Sequence, residues 1–215
     1  MAIQVQGNGG TVAEVETNTR AMRTTIRAID PGSYGSYRGA ATSGVMAAGI
    51  AGNANIFSFR NSSASVVVVV RELSIQAFVN TTGFAAGVGQ FQGFVARNFS
   101  ASDTGGTAWT LTTNNMKLKT AFATTAIADI RMSATAALSA GTRTLDAQPF
   151  ASVGFPMSTT ADIILLPWQW LINPGTNQWP LELVQNEGFV IQTTVPGTGT
   201  WGFSVNVQWD EVAAY

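Results

Sequence analysis

Five apolar side chains on alternate positions, Trp201, Phe203, Val205, Val207 and Trp209, are interleaved with Gly202, Ser204, Asn206, Gln208 and Asp210. A strand sends successive side chains to opposite faces, so this spacing predicts a half-buried strand with an aromatic and β-branched row inward. A helix would scatter both rows around its axis. Upstream, Val66 to Val70 are valine at every position. Such a run is stiff at χ1, favours extended chain and needs cover on both faces, which predicts a strand central in its sheet. It continues with Leu73, Ile75, Ala77 and Val79 against Glu72, Ser74 and Gln76.

The same pattern recurs along the chain. Met22, Thr24, Ile26 and Ala28 alternate with Arg23, Thr25 and Arg27, and Asp30-Pro31-Gly32 ends that stretch as a turn. Short strands are expected at 56–60, carrying Phe57 and Phe59, and at 108–112. A longer one is expected at 88–99, with Phe91, Phe94 and Phe99. Over 163–172, Ile164, Leu166, Trp168, Trp170 and Ile172 share one parity and are expected to face the core. Pro167 lacks the N–H that a ladder needs, which places part of this stretch at an edge or a bulge. Strands at 181–184 and 189–195 follow, separated by Asn186-Glu187-Gly188. The stretch 114–137 mixes helix-favouring Ala with strand-favouring Thr and fits neither period; one short helix is compatible with it. Short strands broken by Gly, Pro and Asn turns predict an all-β antiparallel sandwich or barrel spanning 20–215. Residues 1–19, polar and Gly/Thr-rich, form a flexible N-terminal arm.

Composition narrows the function. Only 11% of the 215 residues are charged and the net charge is −1, against about 25% charged in ordinary domains. Such a surface is either covered by copies of itself or by a larger assembly, or is kept soluble by Ser, Thr, Asn and Gln. The 11 basic residues are dispersed, so nucleic-acid binding has little to work with. No apolar run reaches the roughly 20 residues of a membrane-spanning helix, and the N-terminal sequence lacks the pattern of a signal peptide. A soluble product of a cytoplasm is expected.

Histidine and cysteine are both absent, which removes the usual triads, thiolate metal sites and imidazole ligands. No cofactor, metal or catalytic residue is implied. Gly197, Gly199 and Gly202 match G-x-G-x-x-G, yet a strand follows where a phosphate-binding helix would be needed, and a hairpin turn is expected instead. The 12 carboxylates form no cluster at ligand spacing. Turn bonding is the expected role of Asp30, Asp103 and Glu187, and Asp210-Glu211 is expected as a solvated strand end. A glycosidase with two facing carboxylates needs no histidine, but sequence does not show such a cleft. Trp168, Trp170, Trp201 and Trp209 fall on inward rows. Trp109 and Trp179 do not, which makes them the candidates for a contact surface, with Val5 and Val12 as the apolar contacts of the arm.

Two stretches carry a resemblance. One runs from Lys117 to Pro149, with Ala128-Asp129-Ile130-Arg131-Met132-Ser133 and then Gly141-Thr142-Arg143-Thr144-Leu145-Asp146. The other runs from Pro180-Leu181-Glu182-Leu183 to Val207-Gln208-Trp209-Asp210-Glu211-Val212. They resemble virion structural proteins of tailed bacteriophages, and the whole chain is similar to capsid decoration (cement) proteins with a jelly-roll-like β-sandwich. The resemblance implies a homotrimer on the capsid surface that bridges major capsid protein subunits and stabilises the shell, made in the bacterial host cytoplasm. It implies no enzyme activity. The alternative is a head-fibre or tail adhesin module whose exposed aromatics bind a host surface glycan. A major shell protein ranks lower, because no long helix pattern is present.

Overall fold

The computed structural model describes residues 35–47, 49–50, 52–85, 87–111, 115–127, 129–161, 163–173 and 180–213. The arm, the strand expected at 21–29 and the turn containing Asp30 lie outside them. In chain order the strands are β1 (Gly35–Thr42), β2 (Met46–Ala47), β3 (Ala54–Asn61), β4 (Val67–Val79), β5 (Gly87–Arg97), β6 (Thr107–Ala108) and β7 (Asp129–Met132). Then come β8 (Thr144–Leu145), β9 (Ala151–Met157), β10 (Ile164–Ile172), β11 (Leu181–Leu183), β12 (Glu187–Thr194) and β13 (Thr200–Val212). Among the described residues there is no helix, so the short helix compatible with 114–137 is not formed there. The described residues of that stretch are turns, bends and the strand β7.

The strands form two antiparallel sheets. One has the order β1-β13-β4-β10, with β2 continuing the edge of β1 and β11 the edge of β10. The other has the order β6-β7-β3-β12-β5-β8, with β9 pairing the same edge of β5 as β8. Eight strands have seven or more residues: β1, β3, β4, β5, β9, β10, β12 and β13. Counted along the chain, they lie as first-eighth-third-sixth in one sheet and second-seventh-fourth-fifth in the other. That order is a jelly roll, two Greek keys wrapped into a sandwich. The chain between β5 and β9 leaves this pattern and adds β7 and β6 to the far edge of β3.

The two inner faces make one core. Trp201, Phe203, Val205, Val207 and Trp209 are fully buried, as the alternation requires. Apolar side chains of this kind contribute about 1.5–3 kcal/mol each when fully buried. From the other sheet Phe57, Phe59 and Phe189 stack in series, with ring centroids 5.8 Å and 5.2 Å from Phe189. Trp209 meets Phe59 edge-on at 5.4 Å and stacks on Tyr37 at 5.5 Å, joining the sheets.

The valine run is central, between β13 on one side and β10 and β11 on the other. Its register slips once: Gln208 pairs Glu72 and Trp209 pairs Val70, leaving Arg71 as a bulge. The inward row therefore changes parity, from Val66, Val68 and Val70 to Leu73, Ile75, Ala77 and Val79.

Two local expectations are corrected. The glycines at 197–202 do not close a hairpin, because β12 and β13 belong to different sheets. They carry the chain from one sheet to the other. In β10, register shifts fall between Ile164 and Leu166, between Leu166 and Gln169, and between Trp170 and Ile172. β10 lies at the edge of the described sheet and is bulged, as Pro167 requires, and its apolar row is broken. Leu166 is buried in the core, whereas Ile164, Trp168 and Trp170 are 65%, 40% and 46% exposed.

Candidate functional site

Four residues are the sequence-level contact candidates. Val5, Val12 and Trp179 lie outside the described residues. Trp109 is not on the surface: it is 9% exposed and meets Phe57 edge-on at 5.5 Å. The reason is local. β6 ends at Ala108, the Trp109 N–H donates to Ile130 O at 2.9 Å, and the chain turns into the sandwich with Leu111 buried behind it. Gly39 makes room, since a Cβ there would overlap Trp109 Cζ3. A shallow depression of about 400 Å³ remains, lined by Ala40, Ala41, Thr107, Ala108 and Met116 beside the indole. It offers no titratable group.

Among the described residues the exposed aromatics are instead Trp168, Trp170 and Phe150, the first two on a row that the alternation placed inside. Antiparallel partners share a face, and Trp170 pairs with Ser74, which lies between the core residues Leu73 and Ile75. Trp170 is therefore on the outward face of the β1-β13-β4-β10 sheet. The signal that could have located it is Pro167, which interrupts the ladder three residues earlier. Val184, just past β11, adds a further exposed apolar side chain near this edge.

The carboxylates serve as ties between strands and loops. Among the described residues five are buried: Glu72, Asp103, Asp129, Asp210 and Glu211. Glu72 accepts from Arg38 at 2.6 Å, Asp129 from Arg60 at 3.3 Å, and Asp210 from Arg71 at 2.8 Å and the Ser36 hydroxyl at 2.5 Å. Asp103 pairs with Arg143 and also accepts the Gly141 N–H at 2.9 Å. This closes the chain between β5 and β9 on itself, so turn bonding is only half of its role. Glu187 accepts the Val184 N–H at 3.2 Å, the turn bond its position predicts, and pairs with Arg97 at 2.6 Å.

Asp210-Glu211 is not a solvated strand end. Glu211 is fully buried and accepts from the Thr125 hydroxyl, the Ala126 N–H at 2.7 Å and Trp209 Nε1 at 3.2 Å. Burial nevertheless pushes its carboxyl above the usual range. Burial, with the Glu211 charge second, likewise raises the Tyr37 phenol. The sequence carried a signal for this: Glu211 continues the inward parity of Val205, Val207 and Trp209.

Among the described residues no three Asp or Glu side chains gather as metal ligands, and no helix is long and apolar enough to cross a membrane. The arrangement presents a sandwich whose buried carboxylates are held in ion pairs and hydrogen bonds, with exposed indoles on β10. No protein-family model matches the chain, and no curated protein matches it with significance.

Proposed function

We propose that this chain is a capsid decoration protein of a tailed bacteriophage, binding the outer surface of the head and bridging major capsid subunits as a homotrimer. The observation that carries the reading is the jelly-roll strand order, an architecture used for capsid and for lectin-type surfaces. Three features support it: the resemblance at 117–149 and 180–212, the 11% charge, and buried carboxylates that hold strands together instead of facing a cleft. The β10 edge adds uncharged apolar side chains to the solvent-facing surface, and contact across such an edge suits a repeated lattice of weak interactions. A second reading is an adhesin module that binds a host surface glycan. It is favoured by Trp168 and Trp170 standing exposed beside Gln169.

The test is the quantitative protein composition of purified particles, calibrated against the major shell protein. A ratio near parity is the expected result. A ratio of a few copies per particle would support the adhesin, and absence from the particle would refute both.

A further inference from the structure

The outward face of the β1-β13-β4-β10 sheet can be laid out from its register. Trp170, Ser74, Asn206 and Ala40 form one row across the four strands. Gln76, Ser204 and Thr42 form the next row, and Ile164, Phe78 and Gly202 the one beyond. Their neighbours along each strand, Leu73, Ile75, Ala77, Val205 and Val207, are in the core, so these rows face away from it. No charged side chain belongs to any of the three rows. At the next row Arg38 and Glu72 neutralise each other across 2.6 Å.

Aromatic surface stands at both ends. Trp170 is 46% exposed. The Phe78 ring lies against the backbone of β13, where a Cβ at Gly202 would overlap its Cζ atom. Ser74 and Phe78 are four residues apart on one strand, about 13 Å. Between these surfaces Thr42 and Ser204 bond each other at 2.7 Å, while other polar groups are unused. Gln76 and Asn206 are half-buried, and among the described residues their amides make no hydrogen bond. The Ser74 hydroxyl, in register with Trp170, is buried without a partner.

A ligand for this face must be uncharged, must offer flat apolar surface to two rings, and must carry paired donors and acceptors for two amides. An anion would find no free cation in these rows. An apolar segment would leave Gln76 and Asn206 dehydrated and unpaired, which opposes its binding. A carbohydrate meets all three demands: its C–H faces stack on indole and phenyl rings, and adjacent hydroxyls accept from and donate to a carboxamide. We infer that this face binds a neutral glycan, with Trp170 and Phe78 as stacking surfaces and Gln76 and Asn206 reading hydroxyls. The site stands whether or not the chain decorates a capsid.

The experiment is affinity electrophoresis of the full chain through native gels containing mannan, dextran, galactan or xylan, with hyaluronate as a charged control. Retardation is expected in at least one neutral gel, and it should survive about 0.5 M NaCl, because no ion pair is involved. Trp170→Ala should weaken it at least tenfold, Asn206→Ala and Gln76→Ala several-fold each, and Trp170→Phe less than Trp170→Ala. Thermal melting of the variants should stay near that of the parent, since Trp170 is a surface residue and the amides support no neighbour. Parent chain unretarded in every neutral gel would overturn the inference, as would unchanged retardation of both Trp170→Ala and Asn206→Ala. Sedimentation velocity supplies the contrary arm. If Trp170→Ala converts an oligomer to a monomer while no gel retards the parent, the face is an interface between copies and the inference is wrong.

Discussion

Replacing Arg143 by Met tests how the long excursion between β5 and β9 is held. Arg143 and Asp103 are 3% and 0% exposed at the side chain and pair directly, and the guanidinium also sits over the Phe99 ring at 4.8 Å. Burial lowers Arg143 to about 10, which still leaves it charged at neutral pH. Arg143 Nη2 and Asp103 Oδ2 have no further partner, so the desolvation of both ions is only partly offset. Arg143→Met should therefore cost about 3–5 kcal/mol, chiefly by stranding a buried carboxylate. Asp103→Asn alone strands the cation and should also destabilise strongly. The double variant removes both charges, and Asn can still accept the Gly141 N–H that Asp103 accepts at 2.9 Å. It should return to within about 1 kcal/mol of the parent, giving a coupling of about 3 kcal/mol or more. Denaturant titrations followed by tryptophan fluorescence measure all four proteins. Additive losses in the double variant would refute the claim that the pair is desolvated.

Two further outcomes follow from the buried groups. Burial raises Glu211 above its ordinary 4.5, so the folded chain keeps a proton where the unfolded chain has released it. Its contribution is then fullest at and below about pH 4.5 and is lost as pH rises through the folded value. Glu211→Gln should flatten that part of the stability profile, and denaturant midpoints at pH 4.5, 6 and 7.5 with an unchanged slope would contradict the assignment. Gly39→Ala forces a Cβ into the Trp109 ring and to 2.9 Å from the Met116 sulfur, an overpacking worth about 1–3 kcal/mol. A lower melting temperature with red-shifted tryptophan emission is expected, and parent-like values for both would show that Trp109 is not seated there.

Much of the sandwich is legible because some strands have only one apolar row. In β13 the inward residues are Trp, Phe and Val and the outward ones are Gly, Ser, Asn and Gln, so only one orientation buries the apolar side. Strands at 56–60, 88–99, 181–184 and 189–195 are read with similar ease and appear as β3, β5, β11 and β12. Trp109 escapes that logic. β6 is two residues long and ends just before it, so no ladder extends far enough to assign its face.

Two ambiguities of facing have a common physical origin. Val66 to Val70 are apolar on both parities, so the sequence places them in a central strand without saying which three face the core. The bulge at Arg71 decides, and it selects Val66, Val68 and Val70. β10 poses the same ambiguity: Ile, Leu, Leu, Pro, Trp, Gln, Trp, Leu, Ile is apolar on both rows. There the decision falls to a missing proline donor and three register shifts, which leave Leu166 inside and Trp170 outside although the two share a parity. Hydrophobic pattern fixes a face only when the two faces differ in polarity. Where they do not, local irregularities of the ladder fix it, and these also determine which aromatic groups remain available to a ligand.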